Sequence, residues 1–143
     1  MPGKIITLLI LIFAVANWSC FFRNADEMTA DADEEISRSQ ALQDLEKMCL
    51  SLPFFNGIKP GEKMVIRGRM VSYEYRLGRD FNDLKAEYKN KFLSEGWILK
   101  EEKRLVADEY ITFTKDKLEI NINKSLTEEE RYSVSCKNNS ILN

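Results

Sequence analysis

Two cysteines carry the sharpest chemistry in the chain. Cys49 lies on an apolar stripe and Cys136 on the apolar side of an alternating segment, so each is placed to face a core. In an oxidising compartment such a pair closes a long loop as a disulfide; in a reducing one it remains two buried thiols. The third cysteine, Cys20, stands near the N-terminus, apart from both. None of the three makes a CxxC motif, which argues against a thiolate metal site or a redox pair. The chain has no histidine among its 143 residues, which removes Ser-His-Asp and Cys-His catalysis, HExxH zinc sites and any histidine pH switch. Neither a Walker A loop nor GxGxxG occurs. The formal net charge of −2 gives no global electrostatic case for nucleic acid. Asp31 and Asp33 have the first spacing of a calcium loop, but no glycine turn follows. Glu128, Glu129 and Glu130 read as a solvated loop rather than paired catalytic carboxylates. Arg67, Arg69, Arg76, Arg79, Lys100, Lys103 and Arg104 make 59–104 mildly basic. That suits either a surface touching anionic lipid or polysaccharide, or a solvated face balanced by Glu74, Glu101 and Glu102. Catalytic, cofactor-binding and metal-binding residues are therefore expected to be absent.

The elements that position the cysteines follow from periodicity. Phe81, Leu84, Tyr88 and Phe92 recur at spacings of three, four and four, one face of a helix capped by Asp80 and ended at Gly96. Tyr88, Phe92 and Trp97 could line a ligand pocket, but packing on a sheet is the simpler reading. Leu42, Leu45, Met48, Cys49 and Leu52 predict a shorter helix over about 38–50, capped by Ser37 or Ser39 and stopped by Pro53. Val71, Tyr73, Tyr75 and Leu77 share one face of an extended run over 63–77, inside which Gly68 marks a bulge or a tight turn. Trp97 to Lys103 and Tyr110 to Thr114 give two more strands, and Asp116-Lys117 a hairpin turn. Leu118, Ile120 and Ile122 alternate with Glu119, Asn121 and Asn123; Tyr132, Val134 and Cys136 alternate with Arg131, Ser133 and Ser135.

The predicted fold class is α+β: an antiparallel sheet of four to five strands with one long helix on one face, preceded by a short helix. The predicted organisation is a signal peptide or membrane anchor over 1–22, an acidic flexible linker over 23–35, a single domain over 36–137 and a disordered tail over 138–143. Lys4 followed by an apolar run over 5–16 is the pattern of an export signal. Ala14-Val15-Ala16 suits cleavage after Ala16; Ser19-Cys20 suits lipidation at Cys20; an uncleaved run to Phe22 would be an anchor. All three place the domain outside the cytosol, in a bacterial periplasm or envelope. Asn17, Asn123 and Asn138 each open an N-x-S sequon, which matters only in a glycosylating source.

Pro60-Gly61, the Ser72-Tyr73-Glu74-Tyr75-Arg76 strand, the helix ending Gly96-Trp97 and the Thr112-Phe113 strand with its hairpin resemble small exported or lipoprotein domains of bacteria, broadly the helix-grip modules of envelope lipoproteins. The resemblance spans about 53–136. It implies the fold and an envelope location, and it brings no catalytic residue with it.

Together these features lead to the expectation of an exported, membrane-associated, non-enzymatic envelope protein whose sheet binds a protein or an envelope component, with no nucleic-acid partner. The alternative is an inhibitor or immunity-type protein acting on a secreted enzyme. A small carboxylate hydrolase would require two converging acids of divergent pKa. Docking through the sheet would be marked by an exposed apolar sheet face with no polar pocket.

Overall fold

Gly96 turns the longest described helix into the strand that follows it: φ there is +83°, where a side chain would be strained. A computed structural model describes residues 25–141. The helix ahead of Gly96, α3 (Phe81–Ser94), starts where the Asp80 carboxylate accepts from the Asn82 and Asp83 amides. It ends where the Gly96 amide donates to Leu93 and that of Trp97 to Phe92. The helices before it are α1 (Ala25–Ser37) and α2 (Gln40–Leu50), the latter capped by Ser39, whose hydroxyl accepts from the Leu42 amide. The strands are β1 (Glu62–Ile66), β2 (Met70–Arg76), β3 (Ile98–Arg104), β4 (Asp108–Lys115), β5 (Leu118–Ser125) and β6 (Arg131–Asn138).

The strands form one antiparallel sheet in the order β1-β2-β6-β5-β4-β3. The α+β class therefore holds, with six strands and three helices among the described residues. The count exceeds the expected four to five because Gly68 makes a turn rather than a bulge. Arg67 and Gly68 both sit at positive φ and fold 63–77 back on itself. Segment α3 then carries the chain from β2 across to the far edge, and the last four strands meander back until β6 pairs with β2.

One face of the sheet is the core. Val71, Tyr73 and Tyr75 of β2, Ile111 and Phe113 of β4, Ile120 and Ile122 of β5, and Tyr132, Val134 and Cys136 of β6 are all buried there. Phe81, Leu84, Tyr88 and Phe92 of α3 and Leu42, Leu45 and Cys49 of α2 pack over them. Each such side chain contributes roughly 1.5–3 kcal/mol on burial. The aromatics of α3 interlock instead of framing a pocket: Phe92 lies 5.0 Å from Phe113, 5.1 Å from Tyr88 and 5.3 Å from Trp97, centroid to centroid.

Three expectations are corrected. The acidic linker over 23–35 is helical from Ala25, because Ala32 and Ile36, four apart, are buried beside β1. Two of its acids are in ion pairs: Asp33 meets Lys63, and Glu34 meets Arg38. In that helix Asp31 and Asp33 point to different sides, so they cannot converge as calcium ligands. The disordered tail over 138–143 is ordered as far as it is described: Asn138 ends β6, the Asn139 amide donates to the Lys117 carbonyl at 2.8 Å, and Ile141 packs against the core. Finally, β3, whose alternation over Trp97 to Lys100 reads as a half-buried strand, is mostly exposed, because it is an edge. Its Lys100, Glu101, Glu102, Lys103 and Arg104, with an irregularity between Leu99 and Glu101, suit an edge that must not pair further. The opposite edge is covered by α1, whose Thr29 hydroxyl accepts from the Lys63 amide of β1 at 3.2 Å. The 1–22 segment, with its Ala16 and Cys20 alternatives, lies outside the described residues.

Candidate functional site: the uncovered sheet face

Alternation on the strands sends every second side chain away from the helices, and these make up the uncovered face. Its middle row is Ser72, Ser135, Asn121 and Thr112, adjacent by register across β2, β6, β5 and β4. The Ser72 and Ser135 hydroxyl oxygens are 2.9 Å apart, and the Asn121 amide donates to the Thr112 hydroxyl at 2.8 Å. Ser72 and Thr112 are buried although no helix covers them, because their neighbours in the row close over them. The next row is Glu74, Ser133, Asn123 and Tyr110. Arg131 holds its end, donating to Glu74 at 2.9 Å and to Glu128; Arg76 reaches Glu128 at 3.3 Å. Two hollows meet at Arg131 and Ser133. One, of about 310 Å³, is lined by Glu62, Met64, Ser72 and Glu74; the other, of about 270 Å³, by Asp108, Asn123, Ser125 and Thr127.

The uncovered face is thus polar, small-featured and internally hydrogen-bonded, and it lacks the mark named above for docking through the sheet, an exposed apolar face with no polar pocket. The alternation visible at Asn121, Asn123, Ser133 and Ser135 already carried that signal. Exposed large apolar side chains lie elsewhere: Leu105 and Val106 between β3 and β4, Leu126 between β5 and β6, Ile98 at the start of β3 and Leu93 on α3. Reading the segment between Lys103 and Tyr110 only as a connection passed over this Leu-Val pair.

Charges on the helix side are matched too. Lys85, buried in α3, meets Glu109 at 2.5 Å and Glu102 at 3.0 Å, and Lys89 meets Glu102 at 2.5 Å. Burial opposes the Lys85 ammonium, but the two carboxylates outweigh it and raise its pKa. Lys89 and Lys85 in turn hold the Glu102 carboxyl below its ordinary value, opposite to the shift a general acid needs. A second network joins the first two helices to the sheet. Lys63 meets Asp33 and Glu46, and the Tyr73 hydroxyl donates to Glu46 at 3.1 Å. Burial, reinforced by the Glu46 charge, pushes the Tyr73 hydroxyl well up.

Cys49 of α2 and Cys136 of β6 form a disulfide with Cα atoms 5.8 Å apart, both wholly buried. The basic residues over 59–104 do not make one surface. Arg76, Arg79, Lys100 and Arg104 are paired with Glu128, Glu87, Glu119 and Glu109. Glu128 is the member of the 128–130 run that takes Arg131 and Arg76. Among the described residues, no group of three or more His, Cys, Asp or Glu could hold a metal ion, and no helix is long and apolar enough to cross a membrane.

Comparison with protein-family models, curated proteins and solved structures returned no match.

Proposed function

We propose that this is an exported, membrane-associated envelope protein with a non-enzymatic binding role, and that the polar sheet face is the surface it presents. The observation that carries the reading is the pairing of a buried disulfide with a sheet face of small polar side chains that no helix covers. The disulfide between α2 and β6 is compatible with an oxidising compartment, as is an N-terminal segment patterned like an export signal. Ser135, Asn121, Ser133 and Asn123, half-buried on that face, offer donors and acceptors with little side-chain entropy to lose on binding. Such a face suits a hydroxyl-rich or peptide-like envelope component better than an apolar one. The carboxylates around it are neutralised by Arg131, Arg76 and Lys100, an arrangement that favours recognition over proton transfer.

The test substitutes Asn121→Arg in the full chain and compares retention in an envelope fraction with that of the unchanged chain. Asn121 is only half-buried and faces solvent, so the fold should survive, which urea unfolding checks. The reading expects the envelope component that the parent chain retains to be lost by the variant at unchanged stability. Equal retention by both would remove the sheet face from the account.

A further inference from the structure

Three of the five large apolar side chains exposed among the described residues, Leu105, Val106 and Leu126, lie at one end of the sheet, and the chain enters the fold at that same end; the other two, Ile98 and Leu93, lie at the start of β3 and on α3. The register lines up Glu62, Glu74, Ser133, Asn123, Tyr110 and Lys103 as one row across all six strands. Beyond that row, β3 turns into β4 through Leu105, Val106 and Ala107, and β5 leaves through Leu126. The Leu126 amide donates to the Ala107 carbonyl at 2.7 Å, which joins the two loops into one tip. Val106 is 99% exposed, Leu105 46% and Leu126 37%. Three residues of extended chain carry Val106 roughly 10 Å past the row.

Helix α1 runs alongside β1 in the same sense: Thr29 sits at Lys63, near the start of β1, and Glu35 lies against Gly68, past its end. Its first residue, Ala25, is therefore at the Glu62 end. The residues before it include the apolar run over 5–16 and Cys20, five positions ahead of Ala25. A chain held to a bilayer by either feature would bring this end of the sheet to the lipid first.

We propose that the Leu105–Val106–Leu126 tip inserts into the bilayer that holds the N-terminal segment, so that the domain stands on that membrane with its sheet rows parallel to it. The proposal rests on the membrane-associated part of the reading above. The partner is the boundary between headgroups and acyl chains, within the reach of about 5–10 Å usual for interfacial apolar groups. The contact is apolar rather than electrostatic: Lys103 and Arg104 flank the tip, but Arg104 is paired with Glu109, and Glu129 and Glu130 stand at the same end.

The chain's own tryptophans, Trp18 and Trp97, make the test direct. In one full-length chain Trp97→Phe leaves Trp18 as reporter of the N-terminal segment. In a second, Trp18→Phe, Trp97→Phe and Val106→Trp leave a reporter at the tip, where full exposure lets the new side chain enter without touching the core. Both are reconstituted in phosphatidylcholine vesicles with and without brominated acyl chains. The expected result is at least twofold quenching of both reporters, with the tip's quenching unchanged by added salt. Quenching of Trp18 with an unquenched tip would overturn the proposal while leaving membrane association standing. A blue-shifted but unquenched tip would mean protein contact and would overturn it as well. A chain that fails to float with vesicles would overturn both.

Discussion

Loss of the Cys49–Cys136 bond should remove a large share of the domain's stability. The bond closes a loop with a sequence separation of 87. In the chain-entropy picture a loop of that size restricts the unfolded ensemble by roughly 4–5 kcal/mol. A single domain has only about 5–15 kcal/mol in total. Both cysteines are fully buried, so reductant will not reach them in the folded state. The perturbation is therefore refolding from urea in the presence of a phosphine reductant, with free thiols counted afterwards. With a urea m-value of about 1–3 kcal/mol/M, the midpoint should fall by roughly 1.5–4.5 M relative to the oxidised protein. Fluorescence and circular dichroism should report the same transition, since the bond joins α2 to β6 at the centre of the core. A fall under about 0.5 M, with thiols shown to be free, would refute the reasoning. It would mean that the unfolded chain is already restricted, or that the native pair is strained enough to cancel the gain.

Four further outcomes are expected. Leu84→Ala, at a position with no exposed surface under α3, should cost about 2–5 kcal/mol in urea unfolding, and Gly96→Ala about 1 kcal/mol or more because φ there is +83°. Lys85→Met should cost roughly 1.5–3 kcal/mol, because Glu109 is left with only the more distant Arg104 and Glu102 with only Lys89; a neutral result would show that these and water already screen them. Tyr75→Phe should be neutral or stabilising by up to about 1–3 kcal/mol, since the Tyr75 hydroxyl is buried without a hydrogen-bond partner among the described residues. Burial pushes the Tyr132 hydroxyl up to about 12 and raises Tyr73 and Tyr88 as well. The folded state therefore favours the neutral phenols: their contribution is complete below about pH 10, the unfolded value, and is lost as pH rises through the folded value. Melting temperature should hold level from about pH 6 to 9, where no histidine titrates, and drop steeply above about pH 10.

The parts of the fold that could be read from the sequence are those where local signals and tertiary packing agree. Helix α3 was legible because Asp80 and Gly96 mark its ends and Phe81, Leu84, Tyr88 and Phe92 mark its buried face. Strands β5 and β6 were legible because Ile120, Ile122, Val134 and Cys136 alternate cleanly with polar residues. The acidic stretch that forms α1 was not: its buried stripe consists mainly of Ala32 and Ile36, too little to outweigh its acids until β1 supplies Lys63 and a surface to lie on. Gly68 fits a bulge and a turn equally well, and only the pairing of β1 with β2 decides between them. The disulfide partners stood out because each cysteine sat on an apolar face. The candidate site was half legible, since the polar positions were visible but their rows are set by strand order, which period-two patterns do not encode.

Mass spectrometry of the intact mature protein, taken from the cell that makes it and measured with and without reductant, bears most directly on the claim that this domain works outside the cytoplasm. The account predicts a protein in the envelope fraction whose mass rises by two hydrogens on reduction, with the N-terminal segment cleaved after Ala16, acylated at Cys20 or retained as an anchor. A cytosolic protein with its N-terminus intact, unacylated and with all three cysteines already reduced would contradict it.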